Sequence, residues 1–290
     1  MKIGVIGGGA IGFLTASKLN SVHDITLYVR REEQKSLLVQ EGLHEKNVCE
    51  HHVQVKLIRE IGEEDCYIIC VKQFHLTSLL TVFKKIDASV PIIFLQNGMG
   101  HIPFIQALKQ PVYIGVVEHG VLKVNDNTFI QTGKGKVEIA LYNGEQNKYQ
   151  TITEQLNQRD FPVVNCDDWE SMLAKKLVVN AVINPLTAIF NVQNGKILSN
   201  PFIQQLAFEL CSETAEVLGI DKKKSWDHVQ SIAESTSYNQ SSMVKDLFHH
   251  RQTEIEAITG YILNKSSKKL PYSLFVYQSV KALEYEEGIQ

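Results

Sequence analysis

Six residues near the N-terminus, Gly7-Gly8-Gly9-Ala10-Ile11-Gly12, constrain the fold of this 290-residue chain more than any other segment. They read GxGxxG and follow directly on the apolar run 2–6. Each glycine has a separate task in a strand–turn–helix unit. Gly7 permits the tight turn out of the strand, Gly9 lets the backbone approach a pyrophosphate, and Gly12 lets the next helix pack closely on the strand. The helix that opens at Ala10 and Ile11 directs its unpaired N–H groups at the phosphates. Alone, the motif also fits a glycine-rich turn that binds nothing. The strand before it, the helix after it and a second strand at 25–29 supply the context of a dinucleotide site.

The rest of the first half repeats that alternation. Strands are expected over 2–6, 25–29, 66–71, 92–95 and 112–117, with helices over 10–19, 76–85 and 102–108. Short β-branched runs separated by helical patterns specify a parallel sheet wound with crossover helices, a Rossmann-type α/β fold. Two more strand-like pieces, 128–131 and 136–141, read as an antiparallel extension. Beyond Asp167 helical patterns take over, over 169–190, 201–218, 226–235, 243–263 and 271–284. The expected organisation is a nucleotide-binding domain over 1–166 and an all-α domain over 167–290.

Composition excludes several classes of function. The net charge of −3 argues against nucleic acid or an acidic membrane as partner, so an anion site must be built locally. Five cysteines, an odd number, show no CxxC pair and no Cys/His cluster at zinc spacing, so no metal is expected. The run 2–6 is too short for a signal sequence, and no stretch approaches 18 consecutive apolar residues. A reduced, cytoplasmic protein is the expectation. A homodimer is compatible with the sequence.

The end of the second strand selects the cofactor. NAD sites place a carboxylate there for the ribose 2′-hydroxyl, but this chain reads Leu27-Tyr28-Val29-Arg30-Arg31. A guanidinium pairs with a 2′-phosphate, which favours NADP(H), although Glu32 and Glu33 follow and offer the arginines a bland alternative. Two later strand ends carry Lys72-Gln73 and Gln96-Asn97-Gly98 at the carboxyl edge where such sheets bind ligands.

In the helical half, positions 176–184 are apolar except for Lys176, Asn180 and Asn184. Spaced four apart, these three form one stripe on an otherwise buried helix, so they must meet buried partners or face a cleft. Pro185 should kink or end that helix. Glu254 falls at the edge of an apolar stripe formed by Ile255, Ile258 and Ile262, while Glu256 faces solvent. Ser241-Ser242 suits a helix N-cap, a ligand contact, or both. His119 reads as structural.

These segments together resemble ketopantoate reductases over nearly the whole chain. The resemblance is carried by GGGAIG, the strand-end Arg30, Val71-Lys72, Gln96-Asn97-Gly98, the block KLVVNAVINPLTAI at 176–189, and Ser241-Ser242-Met243 followed by TEIEAITGY. It implies reduction of 2-dehydropantoate to pantoate by NADPH, a step of pantothenate and coenzyme A biosynthesis, in a cleft between the two domains. It also implies residue roles: Lys176 as general acid with Glu254 as its partner, and Asn180, Asn184 and Ser242 on the substrate. Asn97 would lie between nicotinamide and substrate, with Glu254 also near the cofactor. Arg30 or Arg31, with Lys72, would meet the phosphate end. Competing readings remain: a related NADP-dependent reductase of another 2-oxo acid, a related dehydrogenase acting on a hydroxy acid or polyol phosphate, and a non-catalytic NADP(H) sensor.

Overall fold

The computed structural model describes residues 1–289, which fold as two compact units. Unit 1 comprises Met1–Gln96 and Ile102–Met172; unit 2 comprises Asn97–His101 and Leu173–Gln290.

Unit 1 opens with β1 (Lys2–Ile6), α1 (Ala10–Leu19), β2 (Asp24–Val29), α2 (Glu32–Glu41), the hairpin β3 (Leu43–Glu45) and β4 (Cys49–His51), and β5 (Gln54–Leu57). Then come β6 (Cys66–Ile69), α3 (Leu80–Phe83), β7 (Ile92–Phe94), α4 (Ile102–Ile105), β8 (Val112–Val117) and β9 (Gly120–Lys123). It closes with β10 (Thr128–Gly133), β11 (Val137–Asn143), α5 (Gln146–Leu156) and β12 (Val163–Cys166). The main sheet has the order β12-β11-β8-β7-β6-β1-β2-β5. From β5 to β8 every pairing is parallel. Strand order reverses at β1, which lies between β2 and β6. That reversal is the switch point at which open α/β sheets bind ligands beyond their carboxyl ends. Helices cover both faces of such a sheet, and β6 and β7 are accordingly buried at every position.

The expected antiparallel extension is only half present. β11 does run antiparallel to β8 and extends the main sheet. β10 instead joins a separate sheet of order β4-β3-β10-β9. The register of β10 against β9 shifts between Gln131 and Gly133. A Cβ on Gly135 would lie 2.6 Å from the Glu118 carbonyl. The glycines of Thr132-Gly133-Lys134-Gly135 therefore carry the chain from one sheet to the other instead of closing a hairpin. The small sheet packs on α1, where the rings of Phe13 and Phe129 lie 6.4 Å apart.

The expected helix over 76–85 is mostly a 3-10 segment, Gln73–Leu79, before the single turn of α3. The strand expected over 66–71 ends at Ile69.

Unit 2 is helical: most of α6 (Trp169–Phe190), then α7 (Lys196–Ser199), α8 (Pro201–Leu218), α9 (Lys222–Ser235), α10 (Ser242–Phe248), α11 (Tyr261–Lys265) and α12 (Pro271–Glu286). Local chemistry sets the ends of α8. The Asn200 side chain accepts from the N–H groups of Phe202 and Ile203, Pro201 opens the helix, and Gly219 closes it at φ 68°. The core gathers Val178, Val182, Ile183 and Leu186 of α6 against Ala207 and Leu210 of α8 and Val229 of α9. α6 is long and apolar enough to cross a membrane by length and composition, but 78% of its apolar stretch is buried inside the fold, as in a core helix. It also runs on through Pro185 to Phe190 and does not end there.

The expected single helix over 243–263 is broken. α10 stops at Phe248, His250 adopts φ 50°, and a π-helical turn spans Glu256–Gly260. Glu284 of α12 secures the interruption. One of its carboxylate oxygens accepts from both the N–H and the hydroxyl of Thr253, at 2.8 and 2.7 Å, which holds that residue out of a helical ladder.

Candidate active site

The candidate nucleotide site lies in unit 1. Gly7 has φ 122° and donates its N–H to the Tyr28 carbonyl, so the turn requires a residue free to adopt positive φ. A Cβ on Gly12 would sit 1.8 Å from the Gly7 carbonyl oxygen, which forbids any larger residue. At Gly9 the opposite holds: a Cβ there would meet nothing within 4 Å. The open space above Gly9 lies at the N-terminus of the ten-residue α1, which has no side-chain cap and no acidic residue in its first turn. The donors of that turn are available to a phosphate.

The loop is held from outside. The Gly8 carbonyl accepts from Gln34 Nε2 at 2.9 Å and from Lys123 Nζ at 3.0 Å. Lys123 also donates to Asp126, and Arg31 donates to the same carboxylate oxygen at 2.5 Å. Burial would raise the Asp126 carboxyl, but the hydrogen bonds from Lys123 and Arg31 hold it below the ordinary carboxylate range. Arg31 is thus engaged, and Glu32 is taken by Arg59 at 3.0 Å. Arg30 is exposed and makes no ion pair among the described residues.

A residue that the sequence reading missed joins Arg30. His75, on the 3-10 segment after Lys72, has its proton affinity lowered first by burial, then by the positive charges of Arg30 and Lys72. The three basic groups therefore share one neighbourhood. Nothing in the spacing announces His75, because the segment folds as a 3-10 turn and not as the expected helix. At the carboxyl ends of β6 and β7, Gln96 Nε2 donates to the carbonyls of Ile69 and Val71, both at 2.9 Å. The Oε1 atoms of Gln73 and Gln96 are buried without a partner among the described residues, ready for donors on a ligand. The open cradle at Gly9, the free helix terminus and these acceptors fit a dinucleotide.

A second set of candidate residues lies in unit 2. Lys176 is half-buried on α6, and Asn180 and Asn184 are 8% and 7% exposed. Every other residue from Leu177 to Pro185 is buried. Neither asparagine side chain makes a hydrogen bond among the described residues. The short segment Asn97–His101 belongs to this unit too. Asn97 Nδ2 donates to Glu254 Oε2 at 2.9 Å. Gly98 has φ 78°, and a Cβ on it would lie 2.2 Å from the Ala257 carbonyl, so only glycine lets the segment approach the π-turn this closely. Glu254 is half-buried at the entry to that turn; π-turns recur at functional sites because they re-aim side chains. Ile255, Ile258 and Ile262 are buried, and Glu256 is exposed and accepts from the Tyr277 hydroxyl.

The two serines divide their tasks. Ser241 is buried, caps α10 through the Val244 N–H, and lies 2.8 Å from the Thr187 hydroxyl of α6. Ser242 is exposed beside it. The contact with α6 thereby helps to fix where α10 begins, with Ser242 as its first residue. His119, with its ring stacked on Phe161 and Nδ1 accepting from the Gly135 N–H at 3.0 Å, serves structure.

Known proteins show the same construction. The family profile described as "Ketopantoate reductase PanE/ApbA" matches residues 3–144, and its C-terminal counterpart matches residues 168–284. The chain belongs to the ketopantoate reductase family. The 2-dehydropantoate 2-reductase of Bacillus subtilis (strain 168) is 36% identical over 292 residues, covering 98% of each chain. The crystal structure of the probable 2-dehydropantoate 2-reductase of Bacillus subtilis superposes with a TM-score of 0.88 at 34% identity, over 98% of this chain and 100% of that one. A D-mandelate dehydrogenase, in a ternary structure with NADH and anilino(oxo)acetate, gives a TM-score of 0.92 over 99% and 100% of the two chains. At 24% identity it shows the fold. Ketopantoate reductases thus share with this chain both the Rossmann-type domain and the helical domain.

Proposed function

We propose that this chain reduces 2-dehydropantoate to pantoate with NADPH. The observation that carries the reading is the stripe on α6: Lys176 with two nearly buried asparagine amides that have no partner in the described residues. No amide atom of either is both fully buried and unpartnered, so both tips reach an opening where a polar ligand can meet them.

When bound, NADPH supplies a hydride to the C2 carbonyl carbon of the 2-oxo acid. Gly7, Gly9 and Gly12, with the N–H groups at Ala10 and Ile11, hold its pyrophosphate. Arg30 and Lys72, with His75 beside them, hold the 2′-phosphate, and this basic group supports NADPH over NADH. Asn180, Asn184 and Ser242 donate to the substrate carboxylate and hydroxyl. Negative charge grows on the C2 oxygen as the carbonyl is reduced. The Lys176 ammonium donates a hydrogen bond and then its proton to that oxygen, and takes up another from solvent afterwards. Glu254 orients the lysine and, through its bond from Asn97, fixes the amide nearest the nicotinamide. The domain limits of the sequence reading, 1–166 and 167–290, assign the cofactor to the first domain and the oxo acid chiefly to the second. The expected compartment is the cytoplasm, where the thiols stay reduced.

The test is oxidation of NADPH followed by absorbance, with ketopantoate as substrate and NADH as parallel cofactor. Rapid turnover with a strong preference for NADPH is the expected result. NADPH binding without turnover on ketopantoate would turn the search to other 2-oxo acids, and failure on those to a sensor.

A further inference from the structure

Away from the groups above, the β3–β4 hairpin gathers three donor side chains on one face. The strands pair antiparallel with Glu45 directly opposite Cys49. His51 stands two residues beyond Cys49, so its side chain leaves the same face. Cys49 Sγ lies 3.1 Å from His51 Nε2. The carboxylate, thiol and imidazole donor atoms all lie within 4.8 Å of one another. We propose that Glu45, Cys49 and His51 bind a thiophilic divalent metal ion of the zinc type, with water completing the coordination. The spacing E-x3-C-x-H matches none of the zinc patterns, which is why the sequence led to the expectation of no metal. It is cross-strand pairing that makes the set.

The geometry and chemistry suit such an ion. With metal–ligand bonds of roughly 2.0–2.3 Å, a tetrahedral zinc site has donor–donor separations of about 3.3–3.7 Å. The present spread, within 4.8 Å, is wider than that, and rotation of the exposed Cys49 side chain would narrow it. A thiolate with an imidazole and a carboxylate favours zinc over magnesium or calcium, which take oxygen donors alone. Lys18 Nζ already holds Glu45 Oε2 at 2.7 Å, leaving Oε1 for the ion. Ligating carboxylates are commonly fixed by an outer partner of this kind. The neighbouring ammonium also opposes a second cation, so the site is weaker than a closed four-ligand centre. On binding, the Cys49 S–H bond breaks, its proton passes to solvent, and the sulfur lone pair forms the bond to the metal. No electron is transferred. Cys49 is exposed, which gives the ion its entry.

The experiment titrates the reduced, chelator-treated protein with Co²⁺ and then displaces it with Zn²⁺. One equivalent should bind with a thiolate-to-cobalt charge-transfer band and the intense visible bands of tetrahedral cobalt. Cys49→Ser should abolish the charge-transfer band and weaken binding by at least about tenfold, and His51→Ala should weaken it comparably. Cys166→Ser should change neither. Zn²⁺ should raise the Tm of the wild type and not of Cys49→Ser. A charge-transfer band that survives Cys49→Ser, or cobalt bound without one in the wild type, overturns the site.

Discussion

Around the glycine turn of unit 1, the side chains that brace the loop already have protein partners. Gly8 is held by Gln34 and Lys123, and Asp126 by Lys123 and Arg31. On α6 of unit 2 the two asparagine amides have none among the described residues, and Glu254 is placed by a break in the helix instead of by its regular continuation. The first region is a cradle made of backbone and stiffened before any ligand arrives. The second presents two asparagine amides whose hydrogen bonds, in the proposed function, the substrate completes. Binding the cofactor should therefore depend on loop shape and a few charges, and catalysis on individual side chains of unit 2. Substituting one residue at a time tests that division.

The largest effect belongs to Lys176. Its replacement by Ala should lower kcat by roughly 100-fold to 10,000-fold, the range for loss of a general acid. NADPH affinity, measured by fluorescence titration, should stay within about twofold. A mutant that keeps half the wild-type kcat removes Lys176 from this role. One that loses NADPH binding as well breaks the division between the units.

Acid should act on unit 2 through His101, which is 1% exposed. Burial lowers its pKa to about 4. As pH falls below about 6.5 the unfolded chain takes up this proton and the folded chain does not, so the unfolded state gains. Stability present above pH 6.5 is lost progressively down to about pH 4, by about 3 kcal/mol in all. Urea midpoints of the wild type and of His101→Phe should differ in slope over this window by about one proton. Parallel curves would mean that His101 is charged, or exposed, in the fold.

Arg30 and Arg31 sharpen the picture of unit 1. Arg30→Ala should weaken NADPH by about 10-fold to 100-fold, the loss of a charge-assisted contact of about 1.5–3 kcal/mol, and leave NADH unchanged. Arg31 is spent on Asp126, and its replacement should cost only a few-fold. A larger loss from Arg31→Ala would show that the Asp126 pair opens when the cofactor binds.

How much of this could be read from the chain follows the same contrast. The glycine turn, the parallel sheet and the bounds of α6 and α8 were legible because local chemistry decides them: positive φ at Gly7, and Asn200, Pro201 and Gly219 at the ends of α8. The stripe on α6 was legible because its period is that of a helix. What was not legible depends on residues distant in sequence. The break before Glu254 is secured by Glu284, 31 residues from Thr253. The separate sheet of β10 depends on its parallel pairing with β3, and the difference between Arg30 and Arg31 on Asp126. The hairpin that unites Glu45, Cys49 and His51 is likewise a matter of pairing.

The smallest effects separate side chains that wait for a ligand from those that hold the fold. Asn184→Ala removes no hydrogen bond from the free protein, so its Tm should barely move. In the bound state it removes about 1 kcal/mol of hydrogen bonding, which should raise KM for the oxo acid about fivefold. Asn180→Ala should behave alike. Ser241→Ala is the reverse case, because its hydroxyl caps α10 and meets Thr187. It should cost about 1 kcal/mol of stability, read as a lower urea midpoint, while KM changes only through the position of Ser242. If Asn184→Ala destabilises the free protein as much as Ser241→Ala does, the amide has a structural partner and the stripe is part of the core instead of a place for substrate.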